Sequence, residues 1–271
     1  MKHRPVLTLG TLICALLLWT SVLAAQEVRL EYKFNIGDVN RYKETTQNDM
    51  TSDMMPAGGQ RVFNEMYTTQ KVDKVNADGS AELIQTIDSV NTLFNGQPFS
   101  NPQTSSLVGL PIRVSMATTG KVLDAQPVSD TADATVIQAV DILRKQLMTQ
   151  PGYPATAIKM DETWADSATF SQATQMGTIT TNIRYSTKFT GSDRKLDTDV
   201  KVLERTIDVS GDLSGGAGSL KGNGKGNIYF SDFLGKEVMS TMAIEQTMDM
   251  VTPQGPFSMK MKIVTKRELL K

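Results

Sequence analysis

From Val28 onward, apolar residues recur at every second position, and this constrains the fold more than any other feature of the chain. Val28, Leu30, Tyr32, Phe34 and Ile36 alternate with Arg29, Glu31, Lys33 and Asn35. That period belongs to extended chain with one dry face and one wet face. The same alternation returns in Ile112, Val114 and Met116, in Met242, Ile244, Met248 and Met250, and in Phe257, Met259, Met261 and Ile263. Turn signals fall between these runs. Gly37-Asp38 leads into a strand near Arg41 to Gln47, Asp78-Gly79 closes a long hairpin from Arg61 to Val90, and Asn95-Gly96 closes another. Thr119-Gly120-Lys121 and Gly191-Ser192 read as further strand turns, and Gly211 to Gly226 reads as a Gly-rich surface loop.

One segment breaks the period. Val136, Val140, Leu143 and Leu147 repeat at four, three and four, with Ser129 or Asp130 placed to cap the start and Pro151-Gly152 to end it. The spacing predicts one amphipathic helix at about 130–149, lying with its stripe on a sheet. The expected fold is mainly β: an antiparallel open barrel or two packed sheets with this single central helix. Turn motifs recur in the same order before and after the helix. They sketch a degenerate tandem repeat, with half-repeats 26–128 and 155–271 inside a single domain, 26–271. The alternative is that β-rich chains share such turns without duplication.

The N-terminus has its own logic. Lys2, His3 and Arg4 precede an uncharged run from Pro5 to Ala25 that ends in small residues. This is the order of a signal peptide over 1–25, so the chain is expected to be exported to the periplasm or beyond. An uncleaved membrane anchor is the competing reading. The leader holds the only His (His3) and the only Cys (Cys14) of the 271 residues. The exported part therefore offers no Ser-His-Asp or Cys-His nucleophile, no His/Cys zinc site and no disulfide. Losing Lys2 and Arg4 takes the formal net charge from −1 to −3. So mild a charge gives no basis for nucleic-acid binding.

Other motifs give way to plainer readings. Ser192 and Lys195 have the spacing of a Ser-Lys pair but sit at a hairpin tip rather than a helix start. Gly222, Gly224 and Gly226 precede a strand, whereas a phosphate loop opens a helix. Asp161 and Glu162 beside Trp164 read as a turn with an anchoring aromatic, and Asp193, Asp197 and Asp199 as solvated edge charges. Fifteen methionines are the compositional surprise. Paired thioethers can bind Cu(I), yet these fall on the dry faces of strands, where flexible side chains line an adaptable apolar interior.

Several of these segments together carry a resemblance. Ile36-Gly37-Asp38 with Tyr42, the central helix, Lys159 to Trp164, Asn227-Ile228-Tyr229-Phe230 with Gly235, and the Met-rich closing hairpin resemble a group of secreted bacterial proteins catalogued only as a domain of unknown function. The chain departs from that pattern with Met160-Asp161-Glu162 in place of a Val-Gly-Asp-like turn. The resemblance implies an envelope location and an all-β body, and transfers no catalytic residue. At fold level the pattern is also similar to periplasmic half-barrel carriers of lipids or lipoproteins. The expected function is non-catalytic binding of an apolar ligand or lipid in a β-sheet cavity lined by Met242, Ile244, Met248, Met250, Met259, Met261 and Trp164. No catalytic residue, metal site or cofactor is expected. The alternative is an interaction module that contacts another envelope protein without a small ligand.

Overall fold

A computed structural model describes residues 27–55, 59–129, 133–174, 177–214, 218–252 and 255–270. The segment 1–25, expected to be a signal peptide, and Asp130 lie outside them. In chain order the elements are β1 (Val39–Ser52), β2 (Gln60–Val75), β3 (Ala81–Phe94), β4 (Gln97–Pro98), the one-turn helix α1 (Pro102–Ser105), β5 (Pro111–Met116), β6 (Val122–Pro127) and α2 (Ala134–Met148). Then come β7 (Thr163–Thr174), β8 (Gly177–Lys195), β9 (Thr198–Leu213), β10 (Gly218–Ser231), β11 (Lys236–Thr252) and β12 (Gly255–Leu270). All twelve strands form one antiparallel sheet in the order β6-β5-β3-β2-β1-β12-β11-β10-β9-β8-β7, with the short β4 beside β3. The sheet is not closed. β6 and β7 remain edges, and the first and last strands meet at its centre, where Arg41 pairs with Leu270 and Ser52 with Met259.

The sheet curls into a half-barrel. Its two edges approach at one end, where Lys121, just before β6, pairs with Asp166 on β7 at 3.4 Å. Glycine permits part of this curvature. Gly226 on β10 faces inward, and a Cβ there would meet the Thr241 carbonyl at 1.9 Å. Gly222 and Gly224 occupy the same face under similar crowding. The expected Gly-rich loop is therefore ladder: β9 extends to Leu213 and β10 begins at Gly218. Glycine at every second position in a β protein marks a bend in the sheet as readily as a loop. The Gly191-Ser192 turn is likewise corrected. The β8 ladder skips Thr190 at a bulge just before Gly191, and the reversal occurs at Leu196-Asp197, both at positive φ. Asp78-Gly79 and Asn95-Gly96 turn where expected.

The segment 27–35 is extended with one dry face but joins no ladder; Ile36, expected on that face, lies in the following turn and is 72% exposed. Val28 bonds to Ile158, Tyr32 N to Thr118 O and Lys33 N to Gly235 O, so the segment crosses the concave side as a strap. Period two specifies an extended backbone with one buried side; it does not specify a sheet partner. Val28 and Leu30 join Tyr153, Ile158, Phe189, Leu203, Ile228 and Phe230 in a core that fills this end of the half-barrel.

Helix α2 begins three to four residues later than its pattern suggested. Its cap is Asp133, not Ser129; the Asp133 carboxylate accepts from Thr135 N at 2.8 Å and Val136 N at 3.3 Å. The expected stripe of Val136, Val140, Leu143 and Leu147 packs on the core formed by Val72, Leu83, Ile112, Val114 and Val122. The helix thus covers the β3-β5-β6 flank, while the strap covers the end at Phe189, Leu203 and Phe230.

Candidate functional site

Along β11 the even positions Met242, Ile244, Gln246, Met248 and Met250 are half-buried, whereas Ala243, Glu245 and Asp249 are exposed. Strand β12 places Phe257, Met259, Met261 and Ile263 on the same side, with Met248 paired to Met259 and Ile244 to Ile263. The convex side carries ion pairs between neighbouring strands, among them Lys43–Glu65 at 2.7 Å and Lys262–Glu245 at 3.7 Å. Alternation therefore assigns the methionines to the concave face.

That face has two zones. Near the closed end, a cavity of about 420 Å³ lies between the sheet and α2. Its apolar wall includes Met66, Val114, Leu143, Leu147, Ile207 and Met242, and its polar wall includes Glu44, Arg205, Glu237 and Arg267. Toward the open end, Met248 and Met250 line a recess with Ile179, Leu213 and Leu220. Ile244 joins Met242 against Tyr185, Ile207 and Val209 between the two zones. Met261 borders a separate shallow recess lined mainly by convex-side residues, among them Lys221, Glu245, Thr247 and Lys260. By strand alternation and register, six of the seven residues singled out from sequence face the concave side. Trp164 stands apart: it packs on the core at the strapped end, with its indole N–H buried among the described residues without an acceptor.

The polar wall was missed in the sequence, although its signal was present. On β9, Arg205 takes an inward position in the series Leu203, Arg205, Ile207, Val209. On β12, Thr265 and Arg267 continue the inward series beyond Ile263, and on β1, Tyr42 and Glu44 open one. Arg267 lies over the Tyr42 ring at 4.0 Å. Burial opposes its charge, but Tyr42, Glu237 and Glu44 outweigh that and hold its pKa up. Burial pushes the Glu44 carboxyl up, against the opposing influence of Arg267. Tyr153 donates its hydroxyl to the Glu237 carboxylate. Burial first, then the nearby Glu237 charge, raises the Tyr153 and Tyr32 hydroxyls well above the ordinary tyrosine value.

Among the described residues, no three His, Cys, Asp or Glu side chains converge as a metal site, and no helix is long and apolar enough to cross a membrane. The geometry offers an apolar trough with a partly covered polar end, which suits an elongated guest.

No family model matches the chain and no curated protein matches it, so the resemblance drawn from the turn motifs has no match behind it. Among solved structures the chain is similar to lipovitellin, in a structure of lipid–protein interactions, at 14% identity and a TM-score of 0.44. That likeness covers 88% of this chain and 26% of the other, so the chain spans about a quarter of that protein. It is also similar to DynF from the dynemicin biosynthesis pathway of Micromonospora chersina, at 8% identity and a TM-score of 0.24, over 97% and 92% of the two chains. A Bacteroides fragilis protein of YmcC-like fold gives 11% identity and a TM-score of 0.25, over 89% and 98%. These are likenesses of β-rich architecture.

Proposed function

We propose that the protein is a non-catalytic binder of an apolar ligand or lipid, working in the cell envelope after export. One observation carries this reading: the methionine-rich face of the half-barrel is apolar yet only half-buried, with α2 covering one flank and the strap one end. An apolar surface of this shape gains from burial at about 25 cal/mol per Å², and a guest supplies that burial. Methionine suits such a lining, since its flexible thioether repacks around guests of differing shape. The reading needs no cofactor and no catalytic residue.

The test is displacement of an alkyl-chain fluorophore from the full exported protein by decanol. Saturable one-to-one binding, abolished in the Met248→Asp/Met259→Asp double variant, supports the reading. Partitioning without saturation, or binding indifferent to the double variant, contradicts it. The second reading, an interaction module of the envelope, draws on Phe233, which is 83% exposed at the β10–β11 turn beside the strap.

A further inference from the structure

Among the described residues that line the cavity, only Arg205 holds a buried side-chain nitrogen without a partner. It stands at an inward position of β9 and is 8% exposed. Its Nε donates to Thr187 Oγ1 at 2.9 Å, and its guanidinium lies 5.8 Å from the centre of the Tyr185 ring. Its Nη2 is buried and meets no acceptor among the described residues. Arg267 differs, because Glu44 and Glu237 lie near enough to sustain its charge. A buried guanidinium nitrogen without an acceptor is costly, and an anionic guest would relieve that cost.

The register places glycine beside it. Arg205 faces Gly226 on β10, and Gly226 faces Met242 on β11. At this position β10 therefore places no side chain between Arg205 and the start of the methionine series. From Met242 to Met250 that series runs eight residues, roughly 26 Å at about 3.3 Å per residue.

From this geometry we propose that Arg205 anchors the anionic head of a single-chain amphiphile whose tail lies along the methionine trough. The proposal rests on the ligand-binding reading above and adds the chemistry of the head group. A carboxylate or phosphate monoester supplies two oxygens in the plane that a guanidinium fork accepts. Free anions of the same chemistry lack the tail and gain nothing from the trough.

Calorimetric titration of the full exported protein with decanoate, decanol and acetate tests this. Decanoate is expected to bind at least tenfold more tightly than decanol, with acetate giving no measurable heat. Arg205→Met is expected to erase the preference for decanoate and leave decanol binding unchanged. Its melting temperature without ligand should be no lower than that of the wild type, because a buried nitrogen without an acceptor has gone. Arg205→Lys keeps the charge without the fork and should retain part of the preference, which keeps the test open should the methionine variant fail to fold. Equal affinity for decanoate and decanol, or a preference that survives Arg205→Met, overturns the anchor and leaves the apolar-ligand reading standing. Acetate binding as tight as decanoate binding overturns the amphiphile in favour of a free anion. Failure of both ten-carbon probes removes the ligand-binding reading and the anchor with it.

Discussion

Tyr153, in the chain that leaves α2, donates its hydroxyl to Glu237 on β11 inside the half-barrel. This bond ties the covering segment to the opposite side of the sheet. Tyr153 also packs edge-on against Phe230, with ring centres 5.2 Å apart. Tyr153→Phe keeps the ring contact and removes the donor. Loss of a hydrogen bond to a charged acceptor is expected to cost about 1.5–3 kcal/mol. Chemical denaturation of the two proteins measures it; a variant as stable as the wild type would show that solvent already satisfies Glu237.

The same tyrosines set an alkaline limit. The Tyr32 and Tyr153 hydroxyls have folded pKa values raised above the ordinary 10.0 by burial and by Glu237. A raised folded pKa gives stability that is fully present below the unfolded value and lost as pH rises through the folded one. Melting temperature should therefore fall steeply above about pH 10. In the Tyr32→Phe/Tyr153→Phe double variant that alkaline slope should flatten, and identical slopes would place the titrating groups elsewhere.

Glu44 behaves in the acid range by the same rule. Its folded pKa is raised by burial above the ordinary 4.5. Its contribution is thus fully present below the unfolded value and is lost as pH climbs through the folded one. Glu44→Gln mimics the protonated form. The variant should melt above the wild type at pH 7, and the advantage should vanish below about pH 4. A variant that melts lower at pH 7 would mean that the Glu44 charge is needed to hold Arg267.

Adjacent positions on β11 test the two faces. Met248 lines the inner recess with Leu220 and Met250. Thr247 belongs to the other face and pairs with Lys221 and Lys260. Met248→Lys is expected to cost about 1–3 kcal/mol and to abolish alkyl-chain binding, whereas Thr247→Lys should shift stability by only about 0.5 kcal/mol. Equal effects at the two positions would make this strand end an exposed arm.

The sequence carried the architecture through period and punctuation. Alternation at Met242 to Met250 identified the inner face, and the stripe from Val136 to Leu147 identified the face of α2 that packs. Two elements were hidden for physical reasons. The strap at 27–35 shares its period with a strand, since burial of alternate side chains looks the same against a core as in a ladder. Gly222, Gly224 and Gly226 look like a loop until the sheet is known to bend over them. The polar wall was concealed because Glu44, Arg205 and Arg267 lie at inward positions that a search for apolar alternation passes over. An inward arginine in a period-two series was the available signal.

The central claim is that the methionine face of the half-barrel is the binding surface, and the methionines themselves can report on it. Methyl-labelled methionine spectra recorded while decanoate is added should show saturable shifts at Met242, Met248, Met250, Met259 and Met261. Met54 and Met160, exposed and outside the trough, should stay fixed. Shifts confined to Met54 and Met160, or a spectrum unchanged at saturation, would contradict the account.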